Sequence, residues 1–298
     1  MRILITGARG LIGTALVERL TGAGHDIVTL TRSDADTGRG HYAWNPETGE
    51  CDIRALRAVD VIVHLAGENI GARRWTPEQK RRLRDSRIKS TALLVDTISR
   101  LDHRPRVLVS ASAVGYYGNR GDELLTETSA PGGGFLSDLC RDWEAEAMKA
   151  MPLGLRVVCT RTGMVLSRHG GTLERLFPMF RIGLGGSLGS GNQYWSWITL
   201  QDAVRAIEFA ITGDRITGPV NVVSPNPVTN AEFTKSLARV LHRPAIFPVP
   251  APILRLALGE MADSLVLAGQ RAVAARLTDA GFCFEHPDLS SAFRAILG

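Results

Sequence analysis

The sequence predicts an α/β chain: a doubly wound, mostly parallel sheet with helices on both faces. Three observations carry that expectation. Short apolar runs rich in Ile, Val and Leu alternate with stretches of helical spacing as far as about residue 166. The apolar runs are continuous rather than alternating, as strands buried on both faces are. Glycine follows the first run directly, and a helical pattern opens within a few residues of it.

Residues 2–6 (RILIT) form the first buried strand. Residues 11–23 place Leu11, Ile12, Ala15, Leu16 and Leu20 at helical spacing, and Gly24 ends that helix. His25 to Thr31 is a second strand, and an irregular stretch leads to a third, Asp60 to Ala66. Thr76-Pro77-Glu78-Gln79 starts a long helix, with Thr76 and Gln79 spaced for a capping box and Pro77 at the first helical position. That helix runs to about Ile98. Arg106 to Ser110 is a strand, 136–150 a helix and Leu155 to Thr160 a strand. After residue 166 the pattern changes. Residues 182–193 (IGLGGSLGSGNQ) are glycine-rich and uncharged, which suits a loop over a site as well as a connector. Asp202 is expected to cap the helix after Thr199-Leu200. Thr229 and Glu232 form a second capping box, Pro244 to Pro252 an extended segment, and short helices close the chain.

The chain has 298 residues, 44% hydrophobic and 22% charged, an ordinary globular composition that excludes disorder and coiled coil. No uncharged apolar run reaches a membrane span, and the N-terminus enters a strand with no leader-like layout. Four widely spaced cysteines (Cys51, Cys140, Cys159, Cys283) form no disulfide frame and no metal-ligand spacing, and they suit a reducing cytoplasm. His64 sits inside a buried strand and reads as structural. The net charge of +5 is almost all arginine, and its densest run, Arg73 to Lys89, is interleaved with acidic residues along a helix. That layout excludes a nucleic-acid surface and leaves an anion role for one or two of its arginines.

Gly7-Ala8-Arg9-Gly10-Leu11-Ile12-Gly13 lies between strand and helix, a GxxGxxG form of the dinucleotide fingerprint. Gly7 allows the tight turn, Gly10 lets a pyrophosphate approach the backbone, and Gly13 lets helix and strand pack closely. The free N–H groups of the helix N-terminus, with those of Leu11 and Ile12, face the anion. The fold is therefore expected to be Rossmann-type. An acidic residue at the end of the second strand would bond the ribose hydroxyls of NAD. Here that place reads Thr31-Arg32-Ser33, and a guanidinium with two hydroxyls suits a 2′-phosphate. With Arg9 as a second clamp, the cofactor expected is NADP(H). Asp34 is the residue that would argue for NAD.

HLAGENI (64–70), RRWTPEQKRRLRDSR (73–87), SASAVGYYG (110–118), GSGNQYWSWI (189–198), NPVTNAEF (226–233) and GEMADSLVLAGQR (259–271) complete a pattern spanning nearly the whole chain. It resembles the atypical or extended short-chain dehydrogenase/reductases of the "epimerase family protein" group. The resemblance implies a Rossmann domain (1–166 and 196–224) with a smaller C-terminal α/β substrate lobe (167–195 and 225–298). It implies cofactor contacts at Leu65, Ala66 and Gly67. It puts Arg87 where extended members carry an asparagine near the cofactor.

Members of this type carry Tyr-x-x-x-Lys, the tyrosine passing a proton and the lysine lowering its pKa. None of the four tyrosines here (Tyr42, Tyr116, Tyr117, Tyr194) has lysine four residues on. By the family's pattern, Leu136 and Cys140 replace the pair. Cys140 then reads as a small buried residue. Ser112 corresponds to the usual serine, and Tyr116 or Tyr117 is the remaining phenol. Gln193, Tyr194 and Trp195, with Trp197, follow the glycine-rich loop and are candidates for a substrate pocket. Gln270 and Arg271 could reach the same pocket.

Three functions stay open at this level. One is an NADP(H)-dependent oxidoreductase acting on a small carbonyl or alcohol without the usual pair. The second is a non-catalytic NADPH-binding sensor or regulator. The third is a nucleotide-sugar epimerase or dehydratase. A small-molecule substrate is expected, with no metal, no nucleic acid and no membrane, and the sequence allows a homo-oligomer.

Overall fold

Consecutive β-branched and leucyl residues give each early strand two apolar faces, so both must be covered. The computed structural model describes residues 1–33 and 35–298 and shows how this is done. In chain order the elements are β1 (Arg2–Thr6), α1 (Leu11–Gly22), β2 (Asp26–Thr31), β3 (His41–Asn45), β4 (Glu50–Cys51), β5 (Val61–His64), α2 (Pro77–Ser99), β6 (Val107–Ala113), β7 (Leu124–Leu125), α3 (Phe135–Met148), β8 (Arg156–Thr162) and β9 (Met164–Leu166). They continue with α4 (Gly171–Arg181), β10 (Tyr194–Trp195), β11 (Trp197–Thr199), α5 (Leu200–Thr212), β12 (Gly218–Val222), β13 (Val228–Thr229), α6 (Asn230–Leu241), α7 (Ala251–Leu258), β14 (Arg271–Ala272), α8 (Ala275–Asp279) and α9 (Leu289–Leu297).

Eight strands make one sheet in the order β12-β8-β6-β5-β1-β2-β3-β4. Its pairs are parallel except for the β3–β4 hairpin. Ile3 and Ile5 of β1 join a core with Leu16 and Leu20 of α1 and Val204 and Ile207 of α5. Leu4 faces the other way, into a core with Leu94 and Ile98 of α2 and Ala147 of α3. Each such side chain contributes roughly 1.5–3 kcal/mol by leaving water. The strand order reverses at β1, which has β2 on one side and β5 on the other. The crevice beyond the carboxyl ends of β1 and β5 is where such sheets bind ligands.

A third core lies at the C-terminal side. It gathers Phe180 of α4, Trp195, Trp197, Phe233 and Leu237 of α6, and Phe293 of α9. Phe233 is its hub, with ring centroids 5.1 Å from both Trp195 and Phe293. Thr229 starts α6 with a complete capping box. Residues 182–193 carry no regular element between α4 and β10, as the glycine-rich composition predicts.

Two local expectations need correction. Thr76 caps α2 by accepting from the Gln79 N–H, but the Gln79 side chain donates to Glu68 Oε1 at 2.8 Å rather than returning to the cap. Thr199, not Asp202, caps α5. Asp202 is fully buried and accepts the backbone N–H groups of Glu285 and His286, each at 2.9 Å, anchoring the C-terminal segment. Among the described residues no helix is long and apolar enough to cross a membrane, and no group of His, Cys, Asp and Glu could hold a metal ion.

Candidate functional site

The glycine loop closes by backbone contact alone. Gly7 sits at φ +70°, and a Cβ there would lie 2.7 Å from the Leu65 carbonyl. A Cβ on Gly13 would lie 2.2 Å from the Gly7 oxygen. The Gly10 N–H donates to that same oxygen at 3.0 Å, which folds the loop onto the start of α1. Among the described residues no side chain caps α1, and its first N–H groups are placed to meet an anion. Leu11 and Ile12 belong to that first turn. Ile12 packs toward the core, so its contribution to an anion site is its backbone.

A cleft of about 1060 Å³ opens over this loop. Gly7, Ala8 and Arg9 line it at the floor, and Ala66 and Gly67 line the wall beyond β5. The Ala66 N–H is held by Thr6 Oγ1 at 3.2 Å, and Leu65 N–H by the Thr6 carbonyl. Thr31, Arg32 and Ser33 line the end beyond β2. There Arg9 Nη1 donates to Ser33 Oγ at 3.4 Å, and Thr31 Oγ1 donates to the Ser33 carbonyl at 2.5 Å. Asp34 lies outside the described residues. The glycine cradle, the uncapped helix and this hydroxyl-guanidinium corner together fit a phosphorylated dinucleotide.

Sequence reasoning missed part of the lining. The β3–β4 hairpin brings His41, Trp44, Pro46 and Glu47 to the cleft, with His41 Nδ1 bonded to Thr29 Oγ1 at 2.7 Å. Pairing of β3 beside β2 produces this, and the irregular composition of 34–59 gave little sign of it. Arg82, Asp85, Ser86, Lys89 and Ser90 of α2 line the far wall, so part of the charged run faces the cleft. Two of its cations are engaged at the surface, Arg82 with Glu78 and Lys89 with Asp85.

Beneath the cleft His64 is fully buried at the end of β5. Its Nδ1 lies 2.7 Å from Thr6 Oγ1, and its Nε2 lies 3.0 Å from Thr91 Oγ1 and 3.2 Å from Ser90 Oγ. Burial pulls its pKa down to about 4, so the ring is neutral at pH 7. It is structural, as the sequence suggests.

The carboxyl end of β6 carries a different network. Ser112 Oγ donates to Glu144 Oε1 at 2.6 Å. Arg161 of β8 holds the same carboxylate through two bonds of 2.8 Å. The pair is almost wholly enclosed, with side-chain exposures of 3% for Arg161 and 11% for Glu144. Burial works against the Arg161 charge, but the bonds to Glu144 outweigh it and hold the guanidinium above its usual range. The Tyr116 ring lies 3.4 Å from that guanidinium, a cation–π contact that fixes the phenol beside Ser112's network. Arg120, four residues after Tyr116, pairs with Glu123.

The model of the NAD dependent epimerase/dehydratase family matches residues 3–223. The chain belongs to this family. A further model, a domain of unknown function, matches residues 249–296. Epimerase family protein MT2273 of Mycobacterium tuberculosis (strain CDC 1551 / Oshkosh) is 47% identical over 290 residues, 97% of this chain and 95% of that protein. Human epimerase family protein SDR39U1 is 34% identical over 304 residues, covering 100% of both chains. The crystal structure of the human protein (isoform 2) with NADPH matches at a TM-score of 0.91 and 32% identity, over 99% of each chain.

The residues expected at the Tyr-x-x-x-Lys places, and the two neighbouring tyrosines, are placed as follows. Leu136 and Cys140 stand together on α3, both near Gly115. Cys140 is fully enclosed and its thiol is pushed up to about 11 by burial, so it is no nucleophile at neutral pH. Tyr117 is corrected from catalytic to structural. It is completely buried, its oxygen lies 2.7 Å from Asn221 Oδ1 and 3.0 Å from the Thr126 carbonyl, and Arg161 donates to it at 3.1 Å. Burial raises its pKa, with Arg161 opposing.

Two expected substrate contacts are likewise structural. The Gln193 amide donates to the carbonyls of Leu188 and Val266, and the Trp195 indole donates to Val266 while its ring packs on Phe233. Both tie the glycine-rich loop to the C-terminal segment. Trp197 is fully buried and bonds Asn226. Gln270 bonds the Gly118 carbonyl. Tyr194 is half-buried, with the Arg271 guanidinium 4.9 Å from its ring, and remains a candidate contact. Arg87 does not line the open cleft. Its guanidinium lies behind Gly67, where a Cβ would come within 3.2 Å of Cζ.

Proposed function

We propose that this chain is an NADP(H)-dependent oxidoreductase acting on a small carbonyl or alcohol without a Tyr-x-x-x-Lys pair. The observation that carries the proposal is the cleft over the glycine loop, with Arg9, Thr31, Arg32 and Ser33 gathered at its β2 end. Human SDR39U1, crystallised with NADPH, supports the same cofactor. Bound NADP(H) supplies a hydride; the residues here orient it and manage the proton. Gly7 and Gly13 shape the turn, Gly10 lets the pyrophosphate approach the backbone, and Leu11 and Ile12 offer it their N–H groups. Arg9, Arg32 and the two hydroxyls take the 2′-phosphate. Leu65, Ala66 and Gly67 pass along the adenosine side by backbone. Segments 167–195 and 225–298 form the substrate side, with Tyr194 as a lining residue.

Ser112 has a defined polarity in this reading. Its proton is engaged by Glu144, so its free lone pairs accept from a substrate hydroxyl. Tyr116 is the remaining phenol near it and is assigned the proton. Parallel titrations with NADPH and NADH test the cofactor assignment, with NADPH expected to bind at least tenfold more tightly. Equal affinities, or preference for NADH, would reject it.

A second reading is a non-catalytic NADPH-binding regulator. The composition of α3 supports it: by the family's pattern Leu136 and Cys140 stand where the acid and the base are expected, and Tyr117 is buried in the core. Replacing Tyr116 by phenylalanine separates the two readings. Lost turnover with retained cofactor binding supports the enzyme.

A further inference from the structure

A parallel strand pair outside the main sheet ends between α1 and α5. β11 runs beside β9, with Thr199 in register with Leu166. Both strands stop there, so Thr199 and Ser167 stand together at the carboxyl ends of the pair. A tight turn closed by the Ser167–Gly170 bridge then holds Arg168 and His169 out to solvent. Beside that turn lies a hollow of about 390 Å³, reached also by the last turn of α9. Ala15 and Arg19 of α1 face it, whereas Thr14 and Val17 face the cleft over the glycine loop. The two spaces have no described lining residue in common.

Two buried hydroxyls line the hollow with their protons uncommitted. Ser167 Oγ accepts the His169 N–H at 3.2 Å, and Thr199 Oγ1 accepts the Asp202 N–H at 3.1 Å. Ser167 is 7% exposed and Thr199 2%. Toward the described residues neither hydroxyl donates a hydrogen bond, so each keeps a donor for an acceptor placed in the hollow. An enclosed donor without an acceptor costs stability. Arg168, His169 and His286 line the same space, and among the described residues none of their side chains meets a carboxylate. Arg168 stands 5.9 Å from the Phe177 ring. Arg19 is taken by Glu208. No described Asp or Glu lines the hollow, and those nearby are engaged. Asp202 accepts from Arg205 and from the Glu285 and His286 backbone, and Glu285 pairs with Arg205. Leu166, Leu200, Val204 and Ile296 make the remaining wall apolar.

We propose that this hollow is a second binding site, for a small amphipathic carboxylate such as an aromatic or short aliphatic acid. A carboxylate only accepts hydrogen bonds, which matches two donor hydroxyls and a guanidinium. One uncommitted arginine matches one negative charge. The acid's oxygens accept from Ser167, Thr199 and Arg168, with His169 and His286 beside them, and its apolar body lies against Leu200, Val204 and Ile296. The volume suits a ligand of that size. The site stands whether or not the cleft on the other side of α1 serves hydride transfer.

The test uses benzoate as the probe and benzyl alcohol as its neutral counterpart, each titrated by ligand-observed NMR with and without NADPH. Benzoate is expected to bind saturably and at least about tenfold more tightly than benzyl alcohol, the usual worth of a charge-assisted contact. NADPH is expected to leave that affinity within about twofold, because the two spaces share no wall. Arg168→Gln and Ser167→Ala are each expected to weaken benzoate about fivefold or more and to leave NADPH binding unchanged. Arg168 is exposed, so Arg168→Gln carries the test if Ser167→Ala fails to fold. Four results overturn the proposal: no saturable benzoate binding, equal affinity for the two probes, displacement of benzoate by NADPH, or wild-type benzoate affinity in either folded variant.

Discussion

Lowering the pH from 7 to 5 should destabilise the fold through His64, and replacing that residue should remove this component. His64 is fully buried, is surrounded by the hydroxyls of Thr6, Ser90 and Thr91, and among the described residues meets no carboxylate that would favour its charged form. Its pKa is about 4 in the fold against an ordinary value of 6.5. The unfolded chain therefore binds a proton between pH 6.5 and 4 that the folded chain refuses. Stability from this group is complete above 6.5 and is lost as pH falls toward 4. At 1.36 kcal/mol per pH unit the full loss is about 3 kcal/mol, with about 2 kcal/mol already gone at pH 5. Urea unfolding of wild type and His64→Gln at pH 7, 6 and 5 isolates it, because other titrating groups are shared. The gap between the two proteins should narrow by about 2 kcal/mol from pH 7 to pH 5. A gap that stays constant would mean that His64 does not carry this loss.

Four further outcomes follow from the same contacts. Arg161→Met leaves Glu144 buried without its partner and should cost about 3–5 kcal/mol, measured by urea midpoint; the double variant with Glu144→Leu should cost less than Arg161→Met alone. Arg9→Ala and Arg32→Ala should each weaken NADPH about tenfold and leave NADH nearly unchanged in fluorescence titrations. Gly13→Ala forces a Cβ to 2.2 Å from the Gly7 oxygen, so the loop must open and NADPH affinity should drop more than tenfold. Incubation with nucleotide sugars should leave the configuration at every sugar carbon unchanged by NMR, since α3 carries neither tyrosine nor lysine at the expected places; an inverted or dehydrated sugar would restore the epimerase or dehydratase reading.

The parallel sheet was legible because its strands are buried on both faces and so read as unbroken apolar runs. The glycine loop was legible because steric limits at Gly7 and Gly13 leave no other residue. The β3–β4 hairpin was not, since His41, Trp44 and Glu47 acquire their place only by pairing beside β2. Tyr116 and Tyr117 are neighbours in sequence, yet one lies against Arg161 by its ring face and the other is sealed behind it by Asn221. Their division of roles depends on Arg161 and Asn221, 44 and 104 residues away from Tyr117. Gln193 and Trp195 were expected at a pocket because they follow a glycine-rich loop, but their polar atoms meet the Val266 carbonyl from the distant C-terminal segment. Long-range polar pairing of this kind has no local signature.

The proposed function requires this cleft to present NADPH for hydride transfer. The most direct measurement uses NADPH carrying deuterium at the nicotinamide C4, incubated with the purified protein and a small-molecule extract and followed by mass spectrometry. Transfer of deuterium to a metabolite, reduced by Tyr116→Phe, is the predicted result and would identify the substrate class. Tight NADPH binding with no label moved from the cofactor would contradict the account and leave the regulator reading in its place.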